Sequence, residues 1–353
     1  MTRTSAWQST GHDAAMRRVE IERRALRDDD LAVRVDFCGV CHSDLHAIHG
    51  LTPHISGDDG LVPGHEFTGT VTAVGASVSR FAPGDAVAVG TLVDSCGECA
   101  MCRAGQENYC LLGPVSTYGG RDRNDGTLTK GAYSRQYVVR EAFAYHLPET
   151  LEPAAAAPLM CAGITMWEPL RAGGVGPGSS VAIAGLGGLG HLGVKLAAAL
   201  GADVTVLSRT ADKAADAVAL GARDLVLTTD ADRMREAAGT FDLIIDTIAA
   251  EHDLSPLVHL LALDGTLSVV GNPLAPAPRI LELARGRKKL TSSGTGGSRG
   301  TAELLAFCAE HAITADVEVL PSARVEEALR RLEAGDVRYR FVLDLSDLDA
   351  QDA

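Results

Sequence analysis

Near the middle of the chain an apolar run enters a glycine-rich turn, and no other stretch limits the fold as strongly. Ser180 to Ala184 has the composition of a buried strand, Gly185-Leu186-Gly187-Gly188-Leu189-Gly190 follows, and His191 to Leu200 reads as a helix. Strand, turn and helix in this order start a βαβ unit. Glycines permit the tight turn and close backbone approach, and the helix N-terminus meets a pyrophosphate. Gly185, Gly187 and Gly190, with Gly188 and Leu189 completing the turn, therefore predict dinucleotide binding. Further alternations around Asp203 to Leu207, Asp224 to Thr228, Phe241 to Asp246, Leu267 to Val270 and Lys289 to Thr291 predict a doubly wound parallel α/β sheet.

The residues after the second of these strands choose between nucleotides. A carboxylate there would bind the ribose hydroxyls and reject a 2′-phosphate. This chain instead has Ser208-Arg209-Thr210, with Lys213 one turn on. Two hydroxyls and two cations suit a phosphate, which favours NADP(H) over NAD(H). The alternative is that Arg209 and Lys213 are ordinary solvated charges, a reading that Asp212 beside them allows.

A chain of 353 residues exceeds what one core usually organises, so a second domain is expected. Its strands are short. Leu31 to Phe37, Phe67 to Val74 and Ala86 to Val89 alternate between turns and predict a small β-barrel, with Gly131 to Glu141 a further strand. Later, Thr301 to Glu310 and Arg324 to Glu333 read as helices and Tyr339 to Leu345 as a last strand. The first barrel strand ends in Cys41-His42-Ser43-Asp44-Leu45-His46, a density of polar chemistry that marks a site. It puts Cys41 near a helix N-terminus, which favours a thiolate.

Met1 to Arg18 has no apolar run suited to a signal-peptide core, and no later stretch keeps about 18 apolar residues free of charge. A cytoplasmic location follows as an expectation, and in a reducing compartment the 8 cysteines are not disulfide staples. Cys96, Cys99, Cys102 and Cys110 recur within one loop. Four thiolates at these intervals can converge on one tetrahedral ion with no open position, a structural zinc site; the alternative is a set of buried free thiols. Asp and Glu total 46 against 32 Lys and Arg, a formal net charge of -14 that argues against nucleic-acid or membrane partners.

Taken together, Gly39-Val40-Cys41-His42-Ser43-Asp44, Gly64-His65-Glu66, the four-cysteine loop, Cys161-Ala162-Gly163-Ile164-Thr165, Gly185 to Gly190 and Asp336-Val337-Arg338-Tyr339-Arg340-Phe341 run in one order. In that order the chain resembles the zinc-dependent medium-chain alcohol dehydrogenases, and among them the cinnamyl alcohol dehydrogenase-like, NADP-dependent aldehyde reductases. The resemblance implies a GroES-like catalytic domain over residues 1–153 and 292–353, with a Rossmann domain inserted at 154–291. It also implies a homodimer joined through the nucleotide domains.

By the same resemblance a catalytic zinc is held by Cys41, His65 and Cys161, with Glu66 as an alternating ligand; alcohol dehydrogenase is a standing example of this ligand set. Asp44 would orient His65, Ser43 would bond the substrate oxygen, and His46 would exchange the proton with water. His42 is expected at the pyrophosphate, Thr165 at the nicotinamide with the Ser293-Gly294-Thr295-Gly296-Gly297 segment, and Arg338 near Glu66 and the phosphates. That glycine-rich segment departs from the bulky apolar residues usual in the family, and the loop Val115 to Arg123 has no aromatic beyond Tyr118, so the substrate pocket stays undefined.

The implied activity is zinc-dependent hydride transfer between NADPH and an aldehyde/primary alcohol pair. Reduction of a C=C or C=N bond, and a non-catalytic zinc- and nucleotide-binding protein, are the alternatives; intact Ser43 and His46 disfavour both. His49, His54, His146, His252, His259 and His311 read as structural, and Cys38 and Cys308 as buried thiols.

Overall fold

A computed structural model describes residues 2–9, 11, 15–51, 60–271 and 275–349, and the chain forms two compact units, Met1–Cys161 with Gly297–Ala353, and Ala162–Gly296. The division falls at 161/162 and 296/297, a few residues beyond 153/154 and 291/292. Local bonding accounts for the first offset. The helix Pro153–Ala156 and the 3₁₀ turn Ala157–Met160 stay with the first unit, where Thr68 Oγ1 donates to the Pro153 carbonyl at 3.0 Å and Ala315 N to the Ala155 carbonyl at 3.1 Å.

In the first unit a seven-stranded sheet runs in the order Val317–Pro321, Arg340–Asp344, Asp30–Val40, Phe67–Val74, Ala86–Val89, Ala144–His146, with Gln136–Arg140 also paired to Asp30–Val40. All pairings are antiparallel except that of Val317–Pro321 with Arg340–Asp344. Alternation fixes the faces: Leu31, Val33 and Val35 are buried beside exposed Arg34, and they pack with Phe67, Val87, Val139 and Phe341 in one core. A hairpin of Thr2–Ser9 and Met16–Arg23 lies outside the sequence expectations.

The second unit holds six parallel strands in the order Asp224–Leu227, Asp203–Ser208, Ser180–Ala184, Phe241–Asp246, Leu261–Val269, Lys289–Ser292. Strand order reverses between Ser180–Ala184 and Phe241–Asp246, and in open α/β sheets such a reversal opens a crevice at the carboxyl ends of the strands. The glycine turn stands at that end. Gly185 adopts φ +91°, and a Cβ on Gly190 would lie 2.0 Å from the Gly185 carbonyl oxygen, so this close approach of turn and helix excludes any side chain.

The histidines read as structural behave as packing and bonding groups where they are described. His146 stacks on Phe81 at 4.2 Å, His311 tilts against Phe307 at 4.2 Å, and His252 Nε2 lies 3.2 Å from Asp246 Oδ2. His54 falls outside the described residues. Cys38 and Cys308 are fully buried. Among the described residues no helix is long and apolar enough to cross a membrane.

Candidate metal centre and nucleotide cradle

Strand Asp30–Val40 leads directly into Cys41, whose extended backbone caps the short helix His42–Ile48. The Asp44 carboxylate bends back to accept the Cys41 N–H at 3.0 Å, fixing the turn between strand and helix. Two further segments converge there. His65 comes from the turn before strand Phe67–Val74, and Cys161 follows the 3₁₀ turn Ala157–Met160.

The ligand atoms of Cys41, His65 and Cys161 lie within 4.8 Å of one another, and all three side chains are buried. Cys41 Sγ is 3.9 Å from Cys161 Sγ, and His65 Nε2 is 3.3 Å from Cys161 Sγ. Thiolates at about 2.3 Å and an imidazole at about 2.0 Å from a tetrahedral zinc stand roughly 3.5–3.8 Å apart, so the three atoms already have the spacing of a zinc site. Three ligands leave a fourth position for a reacting group. The Cys161 thiol, donating to Cys41, holds Cys41 well below the usual thiol range against the opposing effect of burial. Burial is the largest single influence and works against a charge on His65, but Asp44 and Cys41 together outweigh it and raise the imidazole well above its ordinary value.

Glu66 is fully buried, and the Arg340 guanidinium donates to its Oε1. This alters two expectations. Glu66 is not among the converging ligand atoms, because its carboxylate is turned to the arginine. The arginine seen bonding it is Arg340, buried at the start of the last strand, whereas Arg338, expected near Glu66, lies two residues before that strand and is exposed. Burial pushes the Glu66 carboxyl up to about 8 against the pull of Arg340. Among the described residues, Glu66 Oε2 and Arg340 Nε have no partner, leaving polar capacity beside the candidate metal ligands. Room for Glu66 comes from Gly39, where a Cβ would sit 2.5 Å from Oε1.

His42, Ser43 and His46 are exposed along the short helix, and Ser43 Oγ is 3.7 Å from Cys41 Sγ. Residues missed by sequence reasoning surround His65. The Tyr118 ring lies 5.7 Å from the imidazole, and the Tyr133 hydroxyl reaches Asp44 at 3.1 Å. In the sequence Tyr118 stands only as the aromatic of the loop Val115 to Arg123, whereas Tyr133 carries no signal beyond a strand pattern.

The second cysteine set is also assembled. Cys96, Cys99, Cys102 and Cys110 present their sulfurs within 4.8 Å, with Cys96–Cys102 at 3.8 Å and Cys99–Cys102 at 3.5 Å. Backbone N–H groups already point at the sulfurs: Leu111 N at Cys99 (3.5 Å), Cys99 N at Cys96 (3.4 Å) and Cys96 N at Cys110 (3.5 Å). The Leu111 and Cys102 contacts bring the Cys99 thiol down to about 6. Four ligands leave no open position, the mark of a structural ion.

In the second unit, Lys213 Nζ donates to the Leu186 carbonyl at 2.8 Å, bringing its charge to the glycine turn. Ser208 Oγ receives Thr210 N at 3.3 Å and donates to the Thr210 carbonyl at 2.9 Å, while Arg209 is exposed. Space above Gly187 is open: a Cβ there would meet nothing within 4 Å. Thr165 Oγ1 donates to the Gly294 carbonyl at 3.0 Å, and Ser293 Oγ is buried without a protein partner, an unfilled polar atom in the segment assigned to the nicotinamide. Open space over the turn, cations after Asp203–Ser208 and a spare buried hydroxyl together suit a phosphorylated dinucleotide.

Residues 27–149 match the model of the alcohol dehydrogenase GroES-like domain, and residues 188–310 that of the zinc-binding dehydrogenases. The chain is 45% identical to the NADP-dependent alcohol dehydrogenase C 1 of Mycolicibacterium smegmatis, over 99% of both chains. It is 44% identical to the probable cinnamyl alcohol dehydrogenase 6 of Arabidopsis thaliana, over 97% of this chain and 93% of that one. A cinnamyl alcohol dehydrogenase structure from Sorghum bicolor superposes with a TM-score of 0.94 at 39% identity, covering 99% of each chain. The chain therefore belongs to the zinc-dependent medium-chain alcohol dehydrogenases, and its relatives there include NADP-dependent alcohol dehydrogenases and cinnamyl alcohol dehydrogenases.

Proposed function

We propose that this protein is an NADPH-dependent aldehyde reductase, interconverting an aldehyde and its primary alcohol, with one catalytic and one structural zinc per chain. The observation that carries the reading is the convergence of Cys41, His65 and Cys161 within 4.8 Å, with the Ser43 hydroxyl 3.7 Å from Cys41 Sγ. Cys41, His65 and Cys161 would hold the catalytic ion, and Cys96, Cys99, Cys102 and Cys110 the structural one. Zinc at the three-ligand site supplies Lewis acidity toward a carbonyl oxygen, and NADPH supplies the hydride.

The chain's own residues do the remaining work. Ser43 Oγ donates a proton to the reduced oxygen and is reprotonated through the His46 ring, which sits one helical turn on and is exposed to water. Asp44 fixes the His65 tautomer. Arg340 donates to the buried Glu66 carboxyl beside the ligands. Ser208, Arg209, Thr210 and Lys213 select the 2′-phosphate. His42 meets the pyrophosphate, and Thr165, Ser293 and Thr295 meet the nicotinamide side.

A homodimer formed through the nucleotide units fits the exposed outer strand Lys289–Ser292, near which Leu263, Ile280 and Leu281 are 67%, 84% and 64% exposed. The 8 free cysteines suit zinc binding in a reducing cytoplasm. The test is cofactor absorbance against a panel of aliphatic and aromatic aldehydes, with NADPH and NADH compared and a chelator-treated control. Turnover with NADPH that the chelator abolishes is expected. No turnover with any aldehyde would refute the reading.

A further inference from the structure

Tyr133 belongs to none of the residue sets assigned above to the reaction, yet its hydroxyl ends on the carboxylate that steers a metal ligand. It is fully buried and donates to Asp44 Oδ2 at 3.1 Å across 89 positions of sequence. Oδ2 also accepts the Cys41 N–H at 3.0 Å, while Oδ1 accepts the Gly64 N–H at 3.1 Å and faces His65 Nδ1 at 3.1 Å. An ionised carboxylate has about four lone-pair positions, two on each oxygen; here two of these groups approach each oxygen, and the Tyr118 side chain also bonds the carboxylate. The His65 contact is favourable only when Nδ1 carries its hydrogen, which leaves the Nε2 lone pair facing Cys161 Sγ.

The Tyr133 ring is itself held in place. Its N–H donates to the Pro63 carbonyl at 2.9 Å, its carbonyl accepts Trp7 N at 2.7 Å, and a Cβ on Gly64 would lie 2.6 Å from its Cδ1. The phenol is thus packed against the turn that delivers His65.

We propose that Tyr133 is a positioning residue for the catalytic zinc: its hydroxyl stops Asp44 from pivoting about its Cβ–Cγ bond, so that Oδ1 stays in line with His65 Nδ1 and Nε2 stays aimed at the metal. The inference rests on the zinc site of the proposed function. Without the hydroxyl the carboxylate keeps its bonds to Cys41 N–H, Gly64 N–H and His65 but loses a buried restraint on Oδ2, and its orientation is less tightly fixed. Altering a group behind a metal-ligating histidine typically weakens metal binding by about 10–100-fold, and one bond further back the lower figure applies.

Zinc release from the intact holoenzyme into a chromogenic chelator is the test, with Tyr133→Phe and Tyr137→Phe compared and Cys161→Ala used to identify the phase from the four-cysteine site. Tyr137 is a matched control, since its buried hydroxyl bonds the Thr117 carbonyl at 2.7 Å instead of Asp44. Tyr133→Phe is expected to release the catalytic zinc about tenfold faster, and to shift the visible absorption of the Co²⁺-substituted enzyme. Tyr137→Phe should lower only the melting temperature. Equal release from Tyr133→Phe and wild type overturns the proposal, and so does equal acceleration in both variants. A Tyr133→Phe chain that fails to fold with zinc supplied also overturns it, because the hydroxyl then serves the fold. Zinc analysis of the wild type before chelation separates the two readings: an empty three-ligand site would sink the proposed function itself.

Discussion

Ser43 and Arg340 stand beside the same cluster of candidate ligands, one as the proposed proton donor and one as a buried cation. Replacing Ser43 with Ala removes the only hydroxyl within 3.7 Å of Cys41 Sγ among the described contacts. Turnover should fall by about a hundredfold or more while zinc content stays at the wild-type value, as metal analysis alongside steady-state kinetics will read. Undiminished turnover would refute the proton relay. Arg340→Leu leaves Glu66 buried without its partner and is expected to cost about 3 kcal/mol in denaturant unfolding. Adding Glu66→Gln should recover much of that loss; additive losses would mean the pair is not coupled. Of these groups, Ser43 was legible from its place in a dense polar run, whereas the Glu66–Arg340 contact spans 274 positions and only strand register reveals it. Burial, not parity, separates Arg340 from Arg338: two residues apart they would share a face in a strand, but the strand begins only at Arg340, which is buried, while Arg338 lies before it and is exposed.

Among the elements, the cysteine loop is the most self-contained. It folds as a short helix Ala100–Arg103 and a 3₁₀ turn Glu107–Tyr109, too small to bury a core of their own. Four sulfurs aimed inward replace that core, so Cys99→Ala should remove one of two zinc equivalents and lower the melting temperature. Retained metal stoichiometry would argue against a structural site. Strands Phe67–Val74, Ala86–Val89, Ser180–Ala184 and Phe241–Asp246 were readable with their observed limits, because apolar runs are bounded by clear turn residues. The Thr2–Ser9/Met16–Arg23 hairpin was not. Its second strand reads Met-Arg-Arg-Val-Glu-Ile-Glu-Arg, and the buried face includes Arg23, which a sequence scan counts as surface. The structure buries it by giving its guanidinium the Gly131 and Gln136 carbonyls at 2.7 and 2.9 Å. Strand Leu261–Val269 starts before the expected Leu267 because the preceding apolar run has no turn residue to mark a change from helix to strand.

At the scale of the whole molecule, the exposed outer strand of the parallel sheet is where the proposed homodimer can be tested. Leu290→Lys, on Lys289–Ser292, is expected to convert a dimer to a monomer in light scattering while leaving the far-ultraviolet circular dichroism unchanged; a variant that stays dimeric would move the interface elsewhere. The order of the chain also has a temporal consequence. Strand Arg340–Asp344 sits inside the seven-stranded sheet, between Val317–Pro321 and Asp30–Val40, so the sheet that begins with residue 30 is completed only after Ala162–Gly296 has been made. Ala162–Gly296, in contrast, is one continuous segment. During synthesis at roughly 5–20 residues per second, the nucleotide unit can therefore finish folding while the metal-binding unit, although begun first, still lacks a central strand and the guanidinium that neutralises Glu66.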